Sequence, residues 1–219
     1  MKRILIVGGG GFGVELFGYI SADIAAGLLP EFTIAGVLED IADSELVLKV
    51  PEARFLGAVD AYEVNGDEVV AISIGKPSRR LKVARELAEK NLPLFTYVHP
   101  SAFVAPTAIL GKGAIVCPNS IVNAFAEIGD NVAVNVFCSI GHGARIGAHS
   151  VLSPYVALSG NAELGQCCFL GTRSTLIPGV TLGDNCIVDS HCRVRHSVPD
   201  KKIVSDRGKY LVLDNRLDR

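Results

Sequence analysis

Every sixth residue from Val104 to Val194 is Val, Ile or Leu. All sixteen positions obey the rule in a chain where 64 of 219 residues are of those types, so chance would satisfy about five of them. Four places after each aliphatic residue comes a small or β-branched one: Ala108, Ala114 and Ser120 early on, Cys168, Ser174 and Val180 later, Val198 last. Glycine follows the aliphatic position in seven of the sixteen units, as in Ile128-Gly129 and Leu182-Gly183. A period of six fits neither the 3.6 of a helix nor the two of a plain strand. It fits short parallel strands separated by turns, with one large and one small side chain per turn pointing inward. Three hexads close one triangular coil, and stacked coils bury a common core that no single coil could bury alone. The stretch therefore predicts a parallel β-helix in which Cys168 lies under Cys186 and Ile128 near Ile146.

The rest of the composition is ordinary for a globular chain, 49% hydrophobic and 20% charged. A formal net charge of −2 without a basic block argues against nucleic acid and against an anionic membrane surface. No apolar run reaches transmembrane length and no signal-peptide pattern is present, so a cytoplasmic protein is expected. Four of the six cysteines, Cys138, Cys168, Cys186 and Cys192, occupy the small inward slot of the repeat. There a thiol acts as a small hydrophobe, and buried free thiols are expected rather than disulfides or metal ligands.

Ahead of the repeat, residues 2–7 (KRILIV) form a continuous apolar run. A glycine-rich turn at 8–13 (GGGGFG) and an apolar-periodic segment follow. Strand, glycine turn and helix in that order let backbone approach a phosphate at a helix N-terminus. Gly8, Gly10 and Gly13 match dinucleotide spacing. A second strand at 32–38 ends in Glu39-Asp40, where acidic groups commonly take ribose hydrogen bonds. A third, 69–74, runs into Gly75-Lys76 and a helix over 78–90 carrying Arg79 and Arg80 in its first turn; 94–98 reads as a fourth. Together these predict a Rossmann-like α/β domain over 1–98, sized for one nucleotide half. The β-helix follows over 99–199, with 200–219 as a tail or cap whose alternating Tyr210 and Val212 break the hexad.

No pair of the five histidines has metal-ligand spacing, so no metal is expected. His142, two places after Ile140, falls on an outward turn, where an imidazole suits a general base. Three segments carry a family resemblance: GGGGFG after the first strand, Val98-His99-Pro100-Ser101-Ala102 at the junction, and SIGHGARIG at 139–147. With them the chain resembles the nucleotide-sugar N-acetyltransferases of the bacillosamine type and their sialic-acid O-acetyltransferase relatives, up to about residue 199. The resemblance implies a left-handed β-helix, a homotrimer, and acetyl-CoA as co-substrate in a groove between neighbouring subunits. It also implies a nucleotide-linked amino sugar held by the α/β domain. The family's base falls on His142, and its asparagine near the sugar on Asn135. Its nucleotide-binding residues fall on Gly10, Gly11, Phe12 and Gly13, on Glu39 and Asp40, and on Gly75 and Lys76. Its CoA contacts fall near Gly160 and Gly171. The chain departs from the family in having Gly143 where an acid usually follows the base and Val151 where a second histidine stands. It also reads Asp189-Ser190-His191-Cys192 at a turn that is often glycine-rich, lacks the closing motif after the coils, and has Phe12 where histidine is frequent.

The expected reaction is direct attack of the sugar amine on the thioester carbonyl, with His142 removing the proton and a backbone N–H holding the oxyanion. Acetylation of a sugar hydroxyl is the alternative chemistry, and a non-catalytic nucleotide-sugar-binding scaffold the alternative class. An NAD site would need a longer domain, and Cys138 as an acyl carrier would need an exposed thiolate.

Overall fold

A computed structural model describes residues 1–206. The chain opens with a small α/β unit: a parallel sheet in which β1 (Lys2–Val7) lies between β2 (Phe32–Leu38) and β3 (Glu68–Ile72). The run in β1 is unbroken because both faces of the strand are covered. Ile4 and Ile6 pack with Leu16, Phe17 and Ile20 of α1 (Gly11–Ala25), while Leu5 and Val7 pack with Val83 and Leu87 of α3 (Pro77–Glu89). The short α2 (Glu45–Lys49) was not foreseen. The expected fourth strand divides in two. Leu94 makes a single parallel bridge to Val70, whereas Tyr97–Val98 pairs with Ile115–Val116 and belongs to the coils.

The coils form a left-handed parallel β-helix. Its first face runs from Tyr97–Val98 through Ile115–Val116, Ala133–Val134 and Val151–Leu152 to Ile203–Val204; the second starts at Phe103–Val104 and the third at Ile109–Leu110. Ile128 lies beside Ile146, and the Cys186 amide donates to Cys168 Sγ at 3.4 Å, as the period required. From Val122 to Val194 the aliphatic positions and the small slots between them form one continuous buried core. The glycines after the aliphatic positions exist because coils touch there. A Cβ at Gly165 would lie 2.6 Å from the Asp184 backbone N, so any side chain would force the coils apart.

Both ends of the array differ from the sequence reading. The hexad begins one unit earlier, at Val98, hidden by the neighbouring His99-Pro100. At the far end Val198 bridges Leu182, sixteen residues back instead of eighteen. It therefore takes the large inward place, not the small one expected, because the last coil is two residues short. Val204 likewise pairs with Val188, and residues 203–204 add a strand to the first face at the start of the stretch expected to be a tail or cap. Tyr210 and Val212 lie outside the described residues.

The α/β unit covers the first face over its early coils, while Ile187 and Ile203 at its far end stay exposed. Tyr97, Ile115 and Cys117 share a buried cluster with Ile4, Leu16 and Phe17, and Ala133 and Val151 are buried beside them. On the second face the outward residues Phe103 and Ile121 remain exposed. On the third face Arg145 lies between Glu127 and Glu163, 3.5 Å from each.

Candidate functional site

At the carboxyl ends of β1, β2 and β3 a cleft of about 400 Å³ opens beside α3. Gly8, Glu39, Asp40, Lys76, Ser78 and Arg79 line it. Ligands of parallel α/β sheets bind at this end, where the helix N-termini converge. Neither Gly10 before α1 nor Lys76 before α3 caps its helix with a side chain, so first-turn amides stay available.

The glycines of the turn divide into two kinds. A Cβ on Gly9 would run into Ser44, and one on Gly13 into the Gly8 carbonyl. Gly8 itself has φ +110°, a region other residues avoid. These three serve the protein's own packing. Gly10 and Gly75 would meet nothing within 4 Å, and Gly11 only Glu45 Oε2 at 3.6 Å. The space in front of Gly10, Gly11 and Gly75 is therefore open to a ligand.

The acidic pair separates too. Glu39 is committed inside the protein: Oε2 accepts from the Gly9 amide at 2.7 Å, and Oε1 from the Asp40 amide at 2.9 Å and from Arg79 at 3.3 Å. Asp40 is exposed and meets only the solvent-facing Arg79, at 2.8 Å. Of the two, Asp40 is free to turn towards a ribose, while Glu39 shapes the glycine turn. Phe12 is half-buried and packs against the cluster that α1 shares with the first coils. Arg79 stood in the sequence as a first-turn cation without a role, and Ser78 and Lys82 carried no signal; all three line the cleft.

Asn135 stands at the corner between the first and second faces, half-buried, its Oδ1 taking the Val136 amide at 2.7 Å and its carbonyl the Ser120 hydroxyl at 2.6 Å. His142 occupies the corner between the second and third faces and is exposed. Its ring lies over Gly160 of the next coil, where a Cβ would come within 2.5 Å of Nε2. Gly160 is thus the floor that lets the imidazole lie flat. Gly171 borders the second face on its other side, and a Cβ there would meet the Ser190 amide at 2.6 Å. Gly143 takes φ +63° with the Asn161 side chain filling the space beside it.

One chain does not bring these parts together. The glycine turn and Asn135 lie along the first face, and His142 on the corner opposite it. Cys138 is inside the core, its thiol pushed up to about 12 by burial, so it holds no thiolate to carry an acyl group. All six cysteines are free and buried. Among the described residues no group of three or more His, Cys, Asp or Glu could hold a metal, and no helix is long and apolar enough to cross a membrane.

Residues 163–190 match the hexapeptide repeat of succinyl-transferase. Over most of its length the chain is similar to a mutant of perosamine N-acetyltransferase from Caulobacter crescentus, solved with CoA and GDP-perosamine. The two are 27% identical over 92% of each chain, with a TM-score of 0.80. The acetyltransferase domain of PglB from Neisseria gonorrhoeae shares the fold at 22% identity, covering 95% of this chain and 99% of that one, TM-score 0.78. WeeI from Acinetobacter baumannii does so at 18% identity, 96% and 100% coverage, TM-score 0.82. The resemblance read from the sequence holds along nearly the whole described chain.

Proposed function

We propose that the protein transfers an acetyl group from acetyl-CoA to the amino group of a nucleotide-linked amino sugar. The perosamine enzyme it resembles at 27% identity carries CoA and GDP-perosamine, and this chain offers a polar cleft and an open glycine turn of the kind a nucleotide diphosphate needs. Residues 1–96 act as the Rossmann-like nucleotide-sugar domain and 97–204 as the acyltransferase domain. Phosphates lie against Gly10 and Gly11 and near Gly75 and Lys76, with Asp40 towards the ribose and Glu39 holding the turn. Asn135 faces the sugar, and acetyl-CoA passes along the second face between Gly160 and Gly171.

His142 is the general base. It takes a proton from the amine as the amine nitrogen bonds to the thioester carbonyl carbon. Collapse of the tetrahedral intermediate breaks the C–S bond and releases CoA as the thiol. Positioning supplies much of the rate, and no acyl-enzyme is needed.

The observation that carries the assembly is the separation of His142 from the glycine turn within one chain. A second copy must bring its corner to the first copy's sugar. The second face, with exposed Phe103 and Ile121 and none of the charge ladder of the third, is the surface that packs against it. A homotrimer closes the ring with three identical sites. The enzyme works in a reducing cytoplasm, a reading supported by acetyl-CoA as donor and six unpaired thiols.

The test is thiol release from acetyl-CoA against UDP-, TDP- and GDP-linked amino sugars, with hydroxyl analogues as controls. Turnover with an amino sugar, lost by roughly 10²-fold or more in His142→Ala with little change in either KM, is the expected result. Near-normal turnover in that variant removes the base role. Turnover with hydroxyl analogues alone points to O-acetylation, and nucleotide-sugar binding without turnover to a scaffold.

A further inference from the structure

Arg80 is fully buried, and among the described residues no acid pairs with it. Its guanidinium is held by neutral acceptors alone. Nη1 donates to the carbonyls of Ile72 at 2.6 Å and Ile74 at 3.1 Å. Nε donates to the Asn131 carbonyl at 3.1 Å and Nη2 to Asn131 Oδ1 at 2.7 Å. One side chain thus joins the end of β3, the first turn of α3 and a corner of the coils. Asn131 is itself fully buried, at φ +53°. Because its oxygen faces Arg80, its amide nitrogen faces the Arg80 carbonyl at 3.3 Å and His149 Nδ1 at 3.1 Å. Burying an unpaired cation costs several kcal/mol even when hydrogen-bonded.

The acceptors lead to the cleft. Between Ile72 and Ile74 lies Ser73, whose amide donates to the Val7 carbonyl at 2.8 Å. Its hydroxyl lies 2.9 Å from the same carbonyl and 2.7 Å from the Gly8 carbonyl. Gly8 opens the glycine turn, and Ile74 and Lys76 line the cleft. Arg79, next in the chain to Arg80, points the other way, to Glu39 and Asp40.

We propose that Arg80, gripped by Asn131, is a positioning residue that fixes the loop at 72–76, and through Ser73 the glycine turn, at a set place on the coil stack. The inference rests on the nucleotide-sugar reading of the cleft. It assigns the coil corner at Asn131 a part in sugar-nucleotide recognition although that corner lies behind the cleft.

The test compares Asn131→Gly with Asn131→Asp in the full-length protein. Glycine suits the positive φ, leaves the backbone acceptor, and removes the side-chain one. It should raise the KM for the nucleotide sugar roughly tenfold, the effect of losing about one charge-assisted hydrogen bond, and leave the KM for acetyl-CoA unchanged. Amide hydrogen exchange should quicken at 73–78 and 8–11 and hardly elsewhere. Aspartate keeps an acceptor for Nη2 and should restore both readouts towards wild type. A lower melting temperature with both KM values and local exchange unchanged would show a merely structural bolt and overturn the proposal. Equal loss in both variants would assign the effect to the amide on His149 and overturn it too. If the wild type neither binds nor turns over nucleotide sugars, the functional reading fails, and the exchange pattern alone decides what Arg80 positions.

Discussion

The residue after His142 is Gly143, where the resembling family usually carries an acid. Its φ of +63° and the Asn161 side chain beside it explain the choice. Gly143→Glu would add left-handed strain of about 1–2 kcal/mol and collide with Asn161, so we expect a lower melting temperature and no gain in kcat. Cys138→Ala should keep acetyl transfer within a few-fold, since a thiol raised to about 12 plays no chemical part; thiol-release kinetics would check it. His149 titrates below its ordinary value through burial and then Arg80, with Arg85 adding to the shift and Asp130 opposing it. A folded-state pKa below the unfolded one means that stability is whole above about 6.5 and is lost as pH falls towards the folded value. Thermal unfolding between pH 7 and 5 should therefore fall more steeply for wild type than for His149→Gln, which no longer titrates. At this scale the turn position of His142 was legible, and the ring does stand exposed on a corner. The sequence could not separate Glu39 from Asp40, because which carboxylate is spent on the Gly9 amide depends on how the turn lies over β2. Arg80 was visible only as a helix cation; its burial comes from a partner fifty-one residues away.

At the scale of elements the hexad was legible because every inward place is filled by the same kind of side chain, and a register shift would expose it. Leu152, fully buried in the middle of the array, should cost about 2–5 kcal/mol as Leu152→Ala, read by urea unfolding. Gly165→Ala should cost about 1–3 kcal/mol by forcing a methyl against the next coil. The array's limits were less legible. Val98 obeys the period, but His99-Pro100 reads as punctuation; Val198 obeys it too, yet two missing residues move it to another place. The corners were legible only in part: Asn119, Asn131, Gly143, Asn161, Gly179 and Asn185 carry the glycine or asparagine cue for positive φ, but Phe125, Phe137 and Tyr155 sit at φ near +60° without it. Two of them stack instead, the parallel rings of Phe137 and Tyr155 lying 5.0 Å apart.

For the whole molecule, the first face, covered over its early coils, and the bare second face set what an assembly must do. Ile121→Glu places a charge on the second face without touching the core. We expect it to shift sedimentation from three chains to one, keep the β-rich circular dichroism of the coils, and abolish turnover, because each site would draw on two chains. A monomeric variant with full activity would show instead that one chain holds a complete site.

The paired registers carry one more consequence. Parallel strands stand about 4.8 Å apart, and Ala133–Val134 meets Val151–Leu152 with no slip. Height along the prism therefore comes in fixed storeys. Duplicating or deleting one whole coil would raise or lower everything above it by that single increment and return each corner to the same compass bearing. Any other length of insertion has to bulge outward as a loop, so this scaffold can change the reach of its cleft only in whole steps, like a ladder losing or gaining rungs.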